Sequence, residues 1–136
     1  MSETIELKEV SYTLFETKIL ELVNDHRDSI GLNKLEILNI VSSVADNHTN
    51  YMIENGQISH DNFSERTQIL IQRANAKSVG ENVAFGYSTA KGVLSGWLNS
   101  EGHKKVIENS SYTHFGISTE SNRNGRYYFT NIFIKK

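Results

Sequence analysis

The chain reads as an α+β protein on two observations: helical apolar stripes fill its first half, and a β-rich hairpin pattern closes it without interleaving with them. From about Thr13 to Arg27, Phe15, Ile19, Leu22, Val23 and His26 recur at steps of three and four, one face of an amphipathic helix that Gly31 ends. A second stripe, Leu38, Val41, Ala45, His48 and Met52, stops near Asn55-Gly56, where glycine suits a left-handed helix cap. Ser64 is placed to cap a shorter helix carrying Ile69 and Leu70. Thr89 is placed to cap another, with Ala90, Val93, Leu94, Trp97 and Leu98 on its apolar side. Gly92 and Gly96 each weaken that helix by about 1 kcal/mol against alanine, and their spacing suits close approach of another backbone. Val83 to Phe85, short, apolar and bounded by glycines, reads as a strand. Phe115, Ile117 and Thr119 then alternate with Gly116 and Ser118, and Tyr127 to Ile134 is rich in aromatic and branched residues. Asn124-Gly125 between them signals a hairpin, because both residues tolerate positive φ. The expected sheet is antiparallel.

At 136 residues the chain is expected to form one domain, 1–136, burying roughly two thirds of its unfolded surface. It contains no cysteine and no proline, so disulfides and thiol chemistry are excluded, and any metal must be held by His, Asp or Glu. Net charge is -2, from 14 basic and 16 acidic side chains without a long like-charged block. A phosphate-neutralising surface is therefore not evident in the sequence, and nucleic acid is not an expected partner. No apolar run approaches the ~18 residues that span a bilayer. Met1 to Glu6 lacks the basic head and apolar stretch of an export signal. That leaves two origins open, a cytosolic protein or the mature part of an exported one.

The chemistry-bearing residues lie in three short stretches, Ser59-His60-Asp61, Gly80-Glu81-Asn82-Val83-Ala84 and Gly96-Trp97-Leu98-Asn99-Ser100-Glu101-Gly102-His103. Two imidazoles and a carboxylate can hold a divalent metal or exchange protons near neutral pH. Each also has a plainer reading. His60 is a loop histidine between helices, and Glu81 can accept nearby N–H groups. His103 can fill the turn just beyond the Trp97 helix. His26 and His48 fall on apolar stripes as hydrogen-bonded core or boundary residues, and His114 opens a strand. Nucleophilic catalysis has little support, since no Gly-x-Ser-x-Gly elbow is present and adjacent residues such as Ser59 and His60 rarely point at each other; phosphate-cradling glycine loops are also absent.

Taken in order, these stretches resemble the CAP superfamily (cysteine-rich secretory proteins, antigen 5, pathogenesis-related-one), and best its bacterial SCP-like branch. The similarity runs from about Leu20 to Phe133. It includes Asn24-Asp25-His26-Arg27, Gly31-Leu32, Leu35, Ala45-x-x-His48, Ser59-His60-Asp61 and Phe63-x-x-Arg66. Gly80-Glu81-Asn82 is similar to the family's Gly-Glu-Asn signature, and Gly96-Trp97-x-x-Ser100-x-Gly102-His103 to its Trp-x-x-Ser-Pro-Gly-His signature. Tyr112 to Ile117 and Tyr127 to Phe133 are similar to its closing strands. The resemblance implies an α-β-α sandwich, with a small antiparallel sheet between helical layers and a cleft of two His and two acids. His60 and His103 would be the imidazoles and candidate ligands of Zn²⁺ or another divalent ion, and Glu81 the first acid and candidate catalytic group. The family's second acidic position is Ser100 here, with Glu101 one place on and turned about 100° around a helix. His114 completes the set of cleft candidates.

Three functions follow as expectations. The first is a non-catalytic, extracytoplasmic binding module, secreted or at the cell surface, with a lipid anchor in the precursor or none. It would be monomeric, require no cofactor, and take a lipid-like molecule, a cell-envelope component or a partner protein. The second is a metal-dependent hydrolase with zinc on His60 and His103 and water activated by Glu81; enzymatic activity is thus left open, with the binding reading ranked first. The third is a structural tie between helical layers, marked by loss of stability in Glu81→Ala.

Overall fold

Thr13 and Glu16 start the first helix with a reciprocal cap. Thr13 Oγ1 accepts from the Glu16 amide at 3.1 Å, and Glu16 Oε1 from the Thr13 amide at 2.9 Å. Glu16 Oε2 accepts from the Thr119 amide at 2.8 Å, so the same residue fastens the helix to the sheet. The structure, a computed structural model, describes residues 3–136. Met1 and Ser2, part of the export-signal reading, lie outside the described residues.

In chain order the elements are α1 (Leu14–Ser29), β1 (Glu36–Ile37), α2 (Asn39–Asn55), α3 (Phe63–Ala74), β2 (Ser78–Phe85), α4 (Ala90–Leu98), α5 (Glu101–Ile107), β3 (His114–Ser121) and β4 (Tyr127–Lys135). The strands lie in the order β1-β3-β4-β2, with β3–β4 and β4–β2 antiparallel. The two-residue β1, which the sequence pattern did not reveal, adds a parallel pair to β3. One face of the sheet carries Phe115, Ile117, Phe129 and Phe133 against α1 and α4. The other carries Ile132 and Ile134 against α2 and α3. This is the expected α-β-α sandwich.

Several local expectations are corrected. The third helix begins at Phe63 with Asn62 as its cap in the left-handed region (φ 63°), so Ser64 lies inside it. The β3–β4 turn spans residues 122–126 and is organised by Asn122, whose Oδ1 accepts from the Asn124 and Arg126 amides at 3.0 and 2.9 Å. Only Gly125 takes positive φ there. Gly96 admits the Tyr87 phenol rather than a backbone. The close backbone approach occurs at Gly116, where an added Cβ would collide with Ser42 N and the Val41 carbonyl carbon of α2.

Candidate functional site

Strand β2 lies at the edge of the sheet, and its side chains alternate between the two helical layers. Glu81 faces α3: its Oε2 accepts from Arg66 Nε and its Oε1 from Arg66 Nη2, both at 2.7 Å. The same Oε1 accepts from His60 Nδ1 at 2.8 Å. Asn82, one residue on, faces the opposite layer and donates from Nδ2 to the His103 carbonyl at 3.1 Å. Consecutive residues of the Gly-Glu-Asn stretch thus hold the two histidine segments from opposite faces of the strand.

The Glu81 side chain is 1% exposed and that of His60 53%, so the pair runs from core to surface. Burial alone would raise the Glu81 carboxyl, but the hydrogen bonds from His60 and Arg66 and the guanidinium charge outweigh it and hold it below the usual carboxylate range. Glu81 is therefore an acceptor at neutral pH, and His60 Nδ1 carries the hydrogen between them. His103 sits in the first turn of α5, a helix the periodicity did not show, rather than in a turn after α4. Its Nδ1 meets Ser100 Oγ at 2.9 Å. Burial lowers its affinity for a proton, and the His60 imidazole pushes the same way. Glu101 is exposed in that same first turn. His114 lies apart, on β3 beyond β4, with Nε2 3.1 Å from Glu36 Oε2 and Nδ1 2.8 Å from Thr113 Oγ1.

Behind His60 lies a buried charged cluster that sequence reading did not assemble. Arg66 and His48 are fully buried. Arg66 Nη1 donates to the Asp61 carbonyl at 2.6 Å and to Glu3 Oε1 at 2.9 Å. His48 meets the Ser59 carbonyl at Nε2 (2.7 Å) and Glu3 Oε1 at Nδ1 (2.8 Å). The signals available were Arg66 in Phe63-x-x-Arg66 and the alternation of Glu3, Ile5 and Leu7, the pattern of an extended segment with one face buried.

As a metal site the donor set is thin. Both Glu81 oxygens are committed to Arg66 and His60, which makes Glu81 the orienting partner of an imidazole rather than a ligand. Among the described residues no group of three or more His, Asp or Glu side chains is arranged to hold an ion. The residues present do not fit a catalytic zinc, which wants three protein ligands.

Beside β2 opens a groove of about 460 Å³. Ile58, Val83, Phe85, Tyr87, Trp97 and Tyr128 line it, and Ser100 and His103 supply polar groups. The Trp97 indole donates to the Val83 carbonyl at 3.0 Å, closing the strand edge at the groove wall.

Among the described residues, five helices flank a four-stranded sheet, the α-β-α architecture of a CAP domain. The CAP family, described as the cysteine-rich secretory protein family, matches residues 20–133, and the chain belongs to it. The chain is 38% identical over 129 residues to the uncharacterized membrane protein YlbC of Bacillus subtilis (strain 168), covering 91% of this chain and 35% of that one. An extracellular SCP-domain protein from Bacillus anthracis str. Ames superposes with TM-score 0.77 at 30% identity, covering 89% of this chain and 40% of that one. An outer surface protein from Borrelia burgdorferi shares the fold at TM-score 0.84 and 22% identity, covering 96% of this chain and 99% of that one. The chain thus spans well under half the length of the two Bacillus proteins. Among the described residues no helix is long and apolar enough to cross a membrane.

Proposed function

We propose that this CAP domain is a non-catalytic, extracytoplasmic binding module whose groove beside β2 takes an elongated, lipid-like molecule and hydrogen-bonds its polar head at His103 and Ser100. The observation that carries this reading is the groove itself, about 460 Å³ with aromatic and aliphatic walls and few polar groups. That volume and lining suit a small apolar ligand. Two structural neighbours, an outer surface protein and an extracellular protein, support the extracytoplasmic placement. Hydrolysis has no observation in its favour, because Glu81 is spent on Arg66 and His60 and is not free to act as a base.

Trp97 is the chain's single tryptophan and lines the groove, so its fluorescence reports occupancy. Titration with a long-chain fatty acid and with its methyl ester is expected to give saturable changes. Ile58 is half exposed, so Ile58→Asp leaves the core intact. That variant should weaken binding about tenfold or more, the scale of one lost apolar contact set. His103→Ala should erase the preference for acid over ester. Absence of any saturable signal below the micelle threshold overturns the reading.

A further inference from the structure

Residues Glu3 to Tyr12 form an extended segment outside every helix and strand, laid along α2. Side chains one turn apart on that helix hold its backbone. Asn47 accepts from the Glu6 amide at 2.9 Å and donates to the Glu6 carbonyl at 2.8 Å. Ser43 Oγ accepts from the Lys8 amide at 2.9 Å. Asn39 donates to the Lys8 carbonyl at 2.9 Å and accepts from the Val10 amide at 2.8 Å. Residues four apart share a helix face, so Asn39, Ser43 and Asn47 act as a substitute strand for a passing backbone. Ile5 and Leu7 pack on the cluster beneath α2 and α3. Lys8 Nζ reaches Asp46 at 3.1 Å.

The far end of this segment enters the site. Glu3 Oε1 accepts from both Arg66 and His48, and those two side chains grip the Asp61 and Ser59 carbonyls on either side of His60. Arg66 also fixes Glu81, which holds the His60 ring.

We propose that Glu3–Tyr12 is a detachable strap and that Glu3 is a positioning residue for His60. Docked, the Glu3 carboxylate joins Glu81 in balancing the buried Arg66 guanidinium and holds the His48 ring by a hydrogen bond, and the complete cluster clamps residues 59–61. The ring is then held with its hydrogen on Nδ1 toward Glu81. Released, the strap takes the Glu3 acceptor from both clamping side chains, and the loop and ring loosen together. A ligand that touches His60 would in turn favour the docked strap, because coupling between sites is reciprocal. The inference goes beyond the groove reading and does not need it.

Nuclear magnetic resonance of the full chain tests this without any ligand. Asn47→Ala removes two strap bonds away from the charged cluster. It is expected to speed exchange of the Glu6, Lys8 and Val10 amides about tenfold, as a local opening should. The Phe63 amide, bonded to the His60 carbonyl at 3.1 Å, should speed up with them, while β4 amides stay slow. The ¹⁵N ring signals of His60 should shift toward a mixture of tautomers in Asn47→Ala and in Glu3→Ala. Glu3→Asp should restore part of the wild-type ring signal. If Glu3→Ala fails to fold, Asn47→Ala carries the test alone. A loosened strap with unchanged His60 ring and Phe63 signals overturns the coupling, and strap amides as slow as those of β4 in Asn47→Ala overturn detachability.

Discussion

Glu81 and His60 touch, yet their removal should have unequal consequences. Glu81→Ala would leave Arg66 as a buried cation without its main counter-charge, a loss of about 3–5 kcal/mol. His60→Ala removes a half-exposed ring and one hydrogen bond to Glu81 while Arg66 stays paired, and should cost only about 1 kcal/mol. Urea unfolding of both variants checks the contrast, and equal losses would refute the assignment of Glu81 as the anchor. The three motif stretches named His60 and Glu81, which meet at 2.8 Å, and His103, whose carbonyl accepts from Asn82 beside Glu81. The cluster behind them was less legible in the sequence: Arg66 and His48, which meet Glu81, and Glu3, which meets both of those, come from three segments far apart in the chain, and their pairing depends on how α2, α3 and the strap stack. His48 did read correctly as a bonded core histidine, because its place on an apolar stripe leaves a polar ring needing partners.

At the scale of elements, the junction of α2 with β3 decides much of the stability. Gly116 lets the α2 backbone sit directly on the sheet. Gly116→Ala should therefore cost at least about 1–3 kcal/mol, since a helix cannot yield as a flexible side chain does; thermal denaturation measures it. The junction also holds a carboxyl pair. Burial, followed by the hydrogen bond to Asp46 and the charges of Asp46 and Glu16, pushes Glu120 up to about 8, against a weaker pull from Lys8. An unfolded glutamate releases its proton near pH ~4.3. Between that value and about 8 the folded chain keeps a proton that the unfolded chain has lost, so stability falls as pH rises through this window. Glu120→Gln, which keeps a donor toward Asp46 at every pH, should flatten melting temperatures measured between pH 5 and 8. A steeper dependence in the variant would contradict the pair. Element identity was legible wherever periodicity ran long, as in α1, α2 and β4. The seven-residue α5 and two-residue β1 are too short to repeat a pattern, and only packing reveals them.

For the whole molecule, the position of β2 at the sheet edge creates the site. An edge strand has no neighbour on one side, so side chains from both helical layers can meet around it: the α2–α3 loop brings Ile58 and His60, while α4 and α5 bring Trp97 and His103. A central β2 would have kept the two layers apart. The sequence by itself determined the α+β class, the two long helices, the closing hairpin, the family and the identity of the histidines and glutamate, because those follow from local periodicity and ordered motifs. Only the tertiary structure decided that Glu81 is committed to Arg66, that an apolar groove opens beside β2, and that the strap reaches the histidine loop. Contacts between residues tens of positions apart depend on strand order and layer stacking, which leave no periodic trace in the chain.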